Sequence, residues 1–460
     1  MILVVGGGLV GSLLAIFLAR RGHSVAVYDR QPDPRVRRGS AHRPSINLTL
    51  CRRGLDALDR VGLKQAVLEL TVPCYGRKIH GIDSSVTDQP YGVRGEAIYS
   101  ISRVALNDLL VQRAMQEPGI TFHFEQKLLQ LELGDSTAVF ENTASGAVSK
   151  VKAEQIFGAD GAYSSVRMQL QKTELFNYSQ AYLDQGYREL TIPTRPDGTP
   201  ALAANALHVW PRGGYMLIAF PNRDGSFTSS LHIPWQGERS HESIRNEGQL
   251  LDFLREAFPD VVELLPKDAA KEFFARPANS MLTVRCEPWS YRDRVLLIGD
   301  AAHAILPYYG QGANAGFEDC AVLDTCVERN GSDWGAAFEQ FERIRRPNMN
   351  AMAELCVQHF VELRDLVGDR RHLLRRRVER KLHALFPERY QPLYSMVTFS
   401  RRSYTEALRL EREQRVIIDR ILTLEGIESR LDDPASAQLF ARYLDEHGRI
   451  SKEYHASPAE

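Results

Sequence analysis

Glycines and carboxylates recur together in three distant segments, and each combination could hold a phosphate-rich or polyhydroxy ligand. The first is GGGLVG at residues 6–11, which follows a short apolar strand and precedes apolar residues at helical spacing. In such a unit Gly6 makes a tight turn, Gly8 admits a pyrophosphate close to the backbone, and Gly11 lets helix and strand pack closely. Asp29 ends the next predicted strand, roughly 20 residues beyond the motif, where a ribose-binding acid is expected. The unit predicts an adenine dinucleotide without specifying which one.

The second segment, RVLLIGDAAHAILPYYGQGANAGFEDC, covers residues 294–320. It predicts a short buried strand, a turn at Gly299-Asp300, a glycine loop, and a helix that begins near Ala313 or Asn314. Asp300 could accept a hydrogen bond from a sugar-like hydroxyl. The helix start would present free backbone N–H groups to an electron-rich group. The alternative is a plain connector whose glycines only make turns.

The third segment, QIFGADGAYSSVR at residues 155–167, is another predicted strand that leads into Asp160, with Arg167 a few residues behind it. The alternative here is a surface turn, because Asp-Gly is a common turn dipeptide. Three such segments in one chain weigh against the simple-turn interpretation of each.

Composition narrows the classes of protein that this chain can belong to. It has 460 residues, 43% of them hydrophobic and 25% charged, with a formal net charge of -1. This is typical of a globular protein with two or three domains, and no basic excess indicates nucleic-acid binding. The six cysteines have no metal-ligand or redox spacing, so we expect no metal site and reduced thiols in a cytoplasmic protein. The first strand begins at Ile2, and no apolar run could span a bilayer, so we expect no leader and no transmembrane anchor.

Together the three motifs resemble the single-component, FAD-dependent aromatic hydroxylases, which carry a GxGxxG, a DGxxSxxR and a GD motif in this order. The resemblance implies that Asp300 binds the ribityl chain of FAD and that the backbone of Gly312, Ala313 and Asn314 faces the isoalloxazine ring. It implicates Asp160 and Arg167 in handling both FAD and the pyridine nucleotide. Arg103 matches an arginine near the flavin, the alternative being a surface charge at a helix start.

Longer stretches, among them RPSINLTL, YGRKIH, FVELRD and YQPLYSMVTFSRRSYTEAL, are similar to the kynurenine 3-monooxygenase branch of this family over nearly the whole chain. The resemblance implies that Arg77 and Tyr91 hold a substrate carboxylate and that Tyr394 completes the site. It also implies that Phe227 and Pro307 line the pocket for the aromatic ring. An arginine can bind a carboxylate through two parallel hydrogen bonds, and tyrosines can pack an aromatic ring while donating O–H. Without the resemblance, a surface strand residue at Arg77 and helix packing at Tyr394 would be the preferred interpretations.

Three departures from the branch concern the substrate. His359 stands where an asparagine is usual, Leu363 replaces a methionine, and Tyr308-Tyr309 replaces phenylalanine and histidine. His359 could still donate a hydrogen bond to a carboxylate, more strongly if protonated. These departures bear on which aromatic acid is bound more than on the type of reaction.

The surrounding elements predict an α/β protein: a Rossmann-like FAD-binding domain with an inserted β-sheet domain and a helical C-terminal region. We assign residues 1–70, 100–178 and 285–330 to the FAD-binding domain, 71–99 and 179–284 to the β-sheet substrate domain, and 331–460 to the helical region. In that region we expect one helix over 334–345 and a separate, longer one over 347–365 that begins at Pro347. The basic run from Arg370 to Lys381 favours a solvated helix face, with membrane-surface binding as the sharper alternative.

The resemblance implies NAD(P)H-dependent and O2-dependent hydroxylation of an aromatic amino acid, with L-kynurenine converted to 3-hydroxykynurenine through a C4a-hydroperoxyflavin. No catalytic side chain is expected, because the flavin carries the chemistry. One alternative is a hydroxylase of another kynurenine-like, anthranilate-like or phenolic acid, and a second is a non-catalytic FAD-binding scaffold. NADPH and NADH are not distinguished, and a homodimer is considered alongside a monomer.

Overall fold

The computed structural model describes residues 1–36, 46–92, 95–366 and 369–456. Its strands are β1 (Ile2–Val5), β2 (Val25–Tyr28), β3 (Asn47–Leu50), β4 (Val72–Cys74), β5 (Gly76–His80), β6 (Val86–Pro90), β7 (Ile98–Ser102), β8 (Ile120–His123), β9 (Gln126–Glu132), β10 (Thr137–Asn142), β11 (Val148–Lys152), β12 (Gln155–Gly158), β13 (Asn177–Ile192), β14 (Leu207–Pro211), β15 (Met216–Pro221), β16 (Phe227–Pro234), β17 (Asn279–Glu287), β18 (Ser290–Tyr291) and β19 (Val295–Leu297). Its helices are α1 (Leu9–Arg20), α2 (Arg52–Arg60), α3 (Lys64–Leu68), α4 (Arg103–Gln116), α5 (Ser165–Leu170), α6 (Glu247–Ala257), α7 (Pro259–Val262), α8 (Ala269–Phe274), α9 (Asp300–His303), α10 (Gly312–Asn330), α11 (Trp334–Val361), α12 (Arg370–Leu385), α13 (Leu393–Phe399), α14 (Tyr404–Leu422), α15 (Ile427–Arg430) and α16 (Pro434–Ala456). A 3₁₀ turn covers Pro307–Tyr309, and a π-helical turn covers Glu362–Leu366.

A six-stranded sheet in the order β18-β19-β12-β1-β2-β8 forms the centre of the nucleotide-binding part. Five of its strands run parallel, and β18 is an antiparallel edge strand. The strands are short and almost wholly apolar, as expected for a sheet buried on both faces. Two three-stranded antiparallel sheets, β11-β10-β9 and β3-β7-β4, accompany it.

A seven-stranded sheet in the order β17-β13-β16-β15-β14-β5-β6 forms the second part. One face packs against α6–α8 around a separate core that includes Trp210 and Phe227. The alternate residues, such as Val209 and Ile218, join the main core that continues into the nucleotide-binding part. The sheet therefore has one face turned to helices and one turned to the cofactor domain.

The helical region corrects one prediction. Trp334–Val361 is a single helix of 28 residues, with Pro347 inside it, where the sequence indicated two helices. Proline removes one backbone N–H donor from the helix. Pro347 lies on the exposed side of the helix, where water can replace that donor. Within the described ranges, no helix combines the length and apolar character needed to cross a bilayer.

Candidate functional site

The three glycine–acid motifs meet at one edge of the six-stranded sheet. They follow β1, β12 and β19, which are adjacent and parallel, so their carboxyl ends lie side by side. A Cβ on Gly6 would come within 2.5 Å of the carbonyl oxygen of Ala159, and one on Gly299 would come within 3.1 Å of Val10. Ligands of open α/β sheets bind at this edge, outside the carboxyl ends of the strands.

The glycines of this edge fall into two kinds. A Cβ on Gly11 would lie 1.8 Å from the carbonyl oxygen of Gly6, so Gly11 is required for the packing of α1 on β1. A Cβ on Gly8 or Gly312 would meet nothing within 4 Å, so these two backbones face open space. Such an open cradle beside two helix starts fits a pyrophosphate and a flavin ring.

Asp29 supports the glycine turn directly. Its Oδ2 accepts a hydrogen bond of 2.6 Å from the Gly7 N–H, and its Oδ1 accepts one of 2.7 Å from the Gln31 N–H. Each carboxylate oxygen has a further lone pair, so the predicted ribose contact remains open to it.

Asp160 and Arg167 connect the second motif to its neighbours. Asp160 Oδ2 accepts from the Ser165 N–H at 2.6 Å, while its buried Oδ1 has no partner within the described part of the chain. Arg167 donates to the carbonyl oxygens of Ala162 at 2.6 Å and Ala301 at 2.7 Å. Arg167 thus ties the second motif to α9, a positioning contact that its sequence pattern did not indicate.

Asp300 begins α9 and has an exposed side chain. Desolvation by the protein atoms around it raises the pKa of its carboxyl group, while the charges of His303 and Arg103 oppose that shift. Arg103 at the start of α4 therefore lies close enough to Asp300 to act on it, and its position near the flavin stays a prediction.

The helix that should face the isoalloxazine, α10, begins at Gly312 and continues for 19 residues. Ala313 is half-buried in its first turn, and Asn314 is buried. The Asn314 amide donates to the carbonyl oxygens of Thr49 at 2.8 Å and Gly310 at 2.7 Å, and its Oδ1 accepts from the Cys51 N–H at 2.9 Å. Its side chain fixes the loop, which leaves the backbone of the helix start to present N–H groups and a positive dipole.

Residues from separate elements form an aromatic cluster with a buried arginine. Tyr91 stacks on Tyr394 with ring centres 5.0 Å apart, and Tyr394 stacks on Tyr309 at 5.6 Å. Burial raises the pKa of Tyr91 and Tyr394, and the positive charge of Arg77 acts against both shifts, which places Arg77 beside the two hydroxyls. The structure thus brings together Arg77 on β5, Tyr91 after β6 and Tyr394 on α13.

Glu362 lies at the centre of the charges in this cluster. Its Oε1 is 3.7 Å from an Arg77 nitrogen and is paired with Arg376, and its Oε2 is 3.3 Å from His359 Nδ1. Burial would raise the pKa of Glu362, but Arg376 and His359 lower it well below its ordinary value. The sequence motif FVELRD contained this residue, but nothing in the sequence indicated its pairing.

His359 joins the cluster at the position where an asparagine was expected. Its ring centre lies 4.5 Å from that of Tyr309. Burial lowers the pKa of His359, with Glu362 opposing the shift, so the ring is neutral near pH 7. The single N–H of the neutral ring is the donor to the ionised Glu362, which leaves Nε2 as an acceptor. Donation to a substrate carboxylate therefore requires that this N–H leave Glu362 or that the ring become protonated.

Two residues expected in the ring pocket lie elsewhere or at its margin. Phe227 is fully buried in the core between the seven-stranded sheet and α6–α8, with its ring edge against His208. Phe227 and Ile218 lie on different faces of the sheet, and Phe227 faces the helices. Phe227 therefore does not line a pocket on the face that carries Ile218. Pro307 is exposed at the start of the 3₁₀ turn that carries Tyr309.

Arg376 is an exception within the basic run, in which Arg370, Arg371 and Arg380 are exposed as a solvated helix face requires. Its guanidinium pairs with Glu362 and with Glu379, and these carboxylates raise its pKa although burial acts to lower it. A cavity of about 230 Å³ lies beside it, between the C-terminal helices and the aromatic cluster, and shares Tyr309 and Tyr394 with that cluster.

Comparisons with known proteins identify the family of the chain. The FAD binding domain family matches residues 1–352. The kynurenine 3-monooxygenase of Flavobacterium johnsoniae is 45% identical over 433 residues, covering 94% of this chain and 96% of the relative. The proteins of that name from Salinispora tropica, 44% identical over 90% of this chain and 92% of the relative, and from Anopheles gambiae, 38% identical over 93% and 87%, are also similar.

Among solved structures, 2-methyl-3-hydroxypyridine-5-carboxylic acid oxygenase superposes with a TM-score of 0.66 at 20% identity, covering 82% of this chain and 95% of that one. The tetracycline destructase Tet(51) gives 0.57 at 17% identity, covering 79% and 90%. These likenesses confirm the predicted fold class. The family match and the extent of the sequence identity show that this chain belongs to the kynurenine 3-monooxygenase family of FAD-dependent monooxygenases.

Proposed function

We propose that this protein hydroxylates the aromatic ring of L-kynurenine to give 3-hydroxykynurenine, using FAD, NAD(P)H and O2. One observation carries the proposal. Arg77, Tyr91 and Tyr394, which come from distant parts of the chain, meet beside the loop that leads into α10. A carboxylate-binding arginine in an aromatic enclosure suits an aromatic amino acid.

In this proposal each group has a separate task. Gly8, Asp29 and Asp300 hold the dinucleotide, with Asp160 and Arg103 near it and Arg167 supporting it through Ala301. The backbone at Gly312, Ala313 and Asn314 lies against the flavin ring. Bound FAD supplies the transfer of electrons from the nicotinamide and the reaction with dioxygen.

The substrate-binding residues hold the substrate and exclude water from its aromatic ring. Arg77 binds the carboxylate, and His359 donates to it when its N–H exchanges Glu362 for the substrate. Tyr91 and Tyr394 enclose the substrate, and Pro307 borders the opening of the ring pocket. Exclusion of water limits the release of hydrogen peroxide without hydroxylation of the substrate.

The proposal is tested by product analysis. Purified protein is incubated with L-kynurenine and FAD under ¹⁸O2, with NADPH or NADH, and products are identified by mass spectrometry. We expect 3-hydroxykynurenine that carries one labelled oxygen. Bound FAD whose reduction no aromatic acid accelerates would instead indicate a non-catalytic scaffold.

A second candidate is a hydroxylase of another kynurenine-like, anthranilate-like or phenolic acid. It is favoured by His359 and Tyr309, which belong to the aromatic cluster and whose side chains differ from those usual in the family. A panel of such acids separates the two, because only the true substrate couples NAD(P)H oxidation to product without release of hydrogen peroxide.

We further propose a cytoplasmic location and leave a homodimer and a monomer as competing states. All six cysteines are buried free thiols, as suits a reducing compartment. Light scattering on the FAD-loaded protein decides the oligomeric state, and fractionation of the source cells decides the location.

A further inference from the structure

Arg53 lies buried where the cofactor domain meets the C-terminal helices. Its side chain is 2% exposed, and its Nε donates to the carbonyl oxygen of Val397 at 3.2 Å. One terminal nitrogen pairs with Glu318 at 2.8 Å, and the other donates to the carbonyl oxygen of Arg402. A buried guanidinium with its donors on three segments fixes those segments relative to one another.

Tyr404 continues this contact toward the flavin-facing loop. Its ring lies 4.1 Å beneath the Arg53 guanidinium, and its fully buried hydroxyl donates to Gln311 Oε1 at 2.9 Å. Gln311 directly precedes Gly312, where α10 begins. The first residue of α14 is thus one hydrogen bond from the backbone that faces the isoalloxazine.

The same arginine also contacts the helix that carries a substrate tyrosine. Val397 and Tyr394 both belong to α13, one turn apart. Movement of α13 on substrate binding would therefore change the hydrogen bond at Arg53, and through Tyr404 the loop at Gln311.

We propose that Arg53 and Tyr404 are positioning residues that hold the flavin-facing loop, Tyr309–Gly312, in a fixed relation to α13. In this proposal they act through Gln311 and not through direct contact with the flavin or the substrate. The link to substrate rests on the proposed function, whereas the effect on FAD stands without it.

The first test replaces one hydroxyl. Tyr404→Phe keeps the ring beneath Arg53 and removes the donor to Gln311. Loss of a buried hydrogen bond should raise the dissociation constant of FAD about two- to tenfold, measured by fluorescence titration of the apoprotein. At saturating FAD, the acceleration of flavin reduction by L-kynurenine should fall by a similar factor, while the substrate dissociation constant changes less than twofold.

Tyr390→Phe is the matched control, because it removes a hydroxyl from another tyrosine buried in the C-terminal helices. We expect FAD affinity and substrate acceleration in this variant to stay within twofold of the wild type. Equal effects of the two variants would overturn the proposal, as would values for Tyr404→Phe within twofold of the wild type.

A second variant tests the arginine. Arg53→Lys keeps a positive charge for Glu318 but cannot donate to both carbonyl oxygens. If both residues act on one loop, the double variant with Tyr404→Phe should be less impaired than the product of the single effects. Fully multiplicative effects would contradict a shared role. If wild-type flavin reduction is not accelerated by L-kynurenine, the proposed function fails, and the FAD titrations still decide this inference.

Discussion

At the scale of single residues, Arg77 is the side chain on which substrate affinity should depend most. Replacing it by methionine keeps its length and removes every donor. A charge-assisted hydrogen bond contributes about 1.5–3 kcal/mol, so Arg77→Met should raise KM for the substrate about ten- to a hundredfold. Glu362 keeps its pairing with Arg376, and FAD content should be unchanged.

Lys78→Met is the control for Arg77→Met, because Lys78 is the next residue of β5 and pairs with Asp88 on the other face of the strand. We expect its KM to match the wild type. Steady-state kinetics with FAD content measured by absorbance compare the two variants. An unchanged KM in Arg77→Met would remove Arg77 from the substrate site.

Residue types and spacing specify the cofactor half of the candidate site more directly than the substrate half. The glycines at 6 and 11 have steric requirements that sequence spacing expresses directly, and Gly8 faces open space. The pairing of Glu362 with Arg376 depends on how α11 and α12 pack, which no local pattern encodes. For the same reason Phe227, apolar and within a strand, could not be assigned to the correct sheet face from a resemblance alone.

At the scale of elements, the turn from β1 to α1 separates a cofactor role from a folding role. A methyl group on Gly8 points into open space, whereas one on Gly11 would overlap the carbonyl oxygen of Gly6. Gly8→Ala should leave the apoprotein stable and weaken FAD binding by about tenfold, or about 1.4 kcal/mol. Gly11→Ala should lower the free energy of unfolding of the apoprotein by about 1–3 kcal/mol, because the contact between α1 and β1 has no room for the added methyl group.

Urea denaturation measures the stability of both variant apoproteins. FAD titration then measures the cofactor affinity of each variant that remains folded. Each variant serves as the control for the other, since both add one methyl group to the same turn. Equal losses of stability in the two would contradict the assignment of Gly8 to the cofactor.

Pro347 provides a second test at the element scale. It is exposed within α11, and it leaves the Arg343 carbonyl without its helical donor. Because proline is unfavourable in a helix interior, Pro347→Ala should stabilise the protein by about 1–3 kcal/mol. Thermal unfolding measures the change, with exposed Asn350→Ala on the same helix as control. A destabilised Pro347→Ala would show that the proline shapes the helix.

The sequence misled at elements where a local signal was overridden by packing. Pro347 indicated a helix boundary, but the helix is continuous and packs against both α10 and α14. The 16-residue strand β13 lacks a regular alternation, and its pairing with β17 shifts between Tyr182 and Gly186. Trp235 occupies the space where a Gly186 side chain would be, a contact visible only in three dimensions.

At the scale of the whole molecule, buried histidines should make the protein sensitive to acid. Burial lowers the pKa of His208 to about 4 and that of His232 to about 3, and it also lowers that of His359. In the unfolded chain each has a pKa near 6.5, so below that pH the unfolded state binds more protons than the folded state. Stability must therefore fall as the pH decreases from 7 toward 5, by on the order of 1–2 kcal/mol each for His208 and His232.

Urea unfolding of the FAD-saturated protein at pH 7, 6 and 5 measures this loss, with FAD kept saturating because the cofactor itself stabilises the fold. His232→Asn should lose stability at every pH, since His232 hydrogen-bonds Ser230 at 2.8 Å and Tyr308 at 3.1 Å. Its stability should nevertheless depend less steeply on pH between 6 and 5, by about one proton, because the group that titrates only on unfolding is gone. A slope identical to that of the wild type would mean that His232 is already protonated in the folded protein, and the buried Ser230–His232–Tyr308 chain would then have to hold a charge.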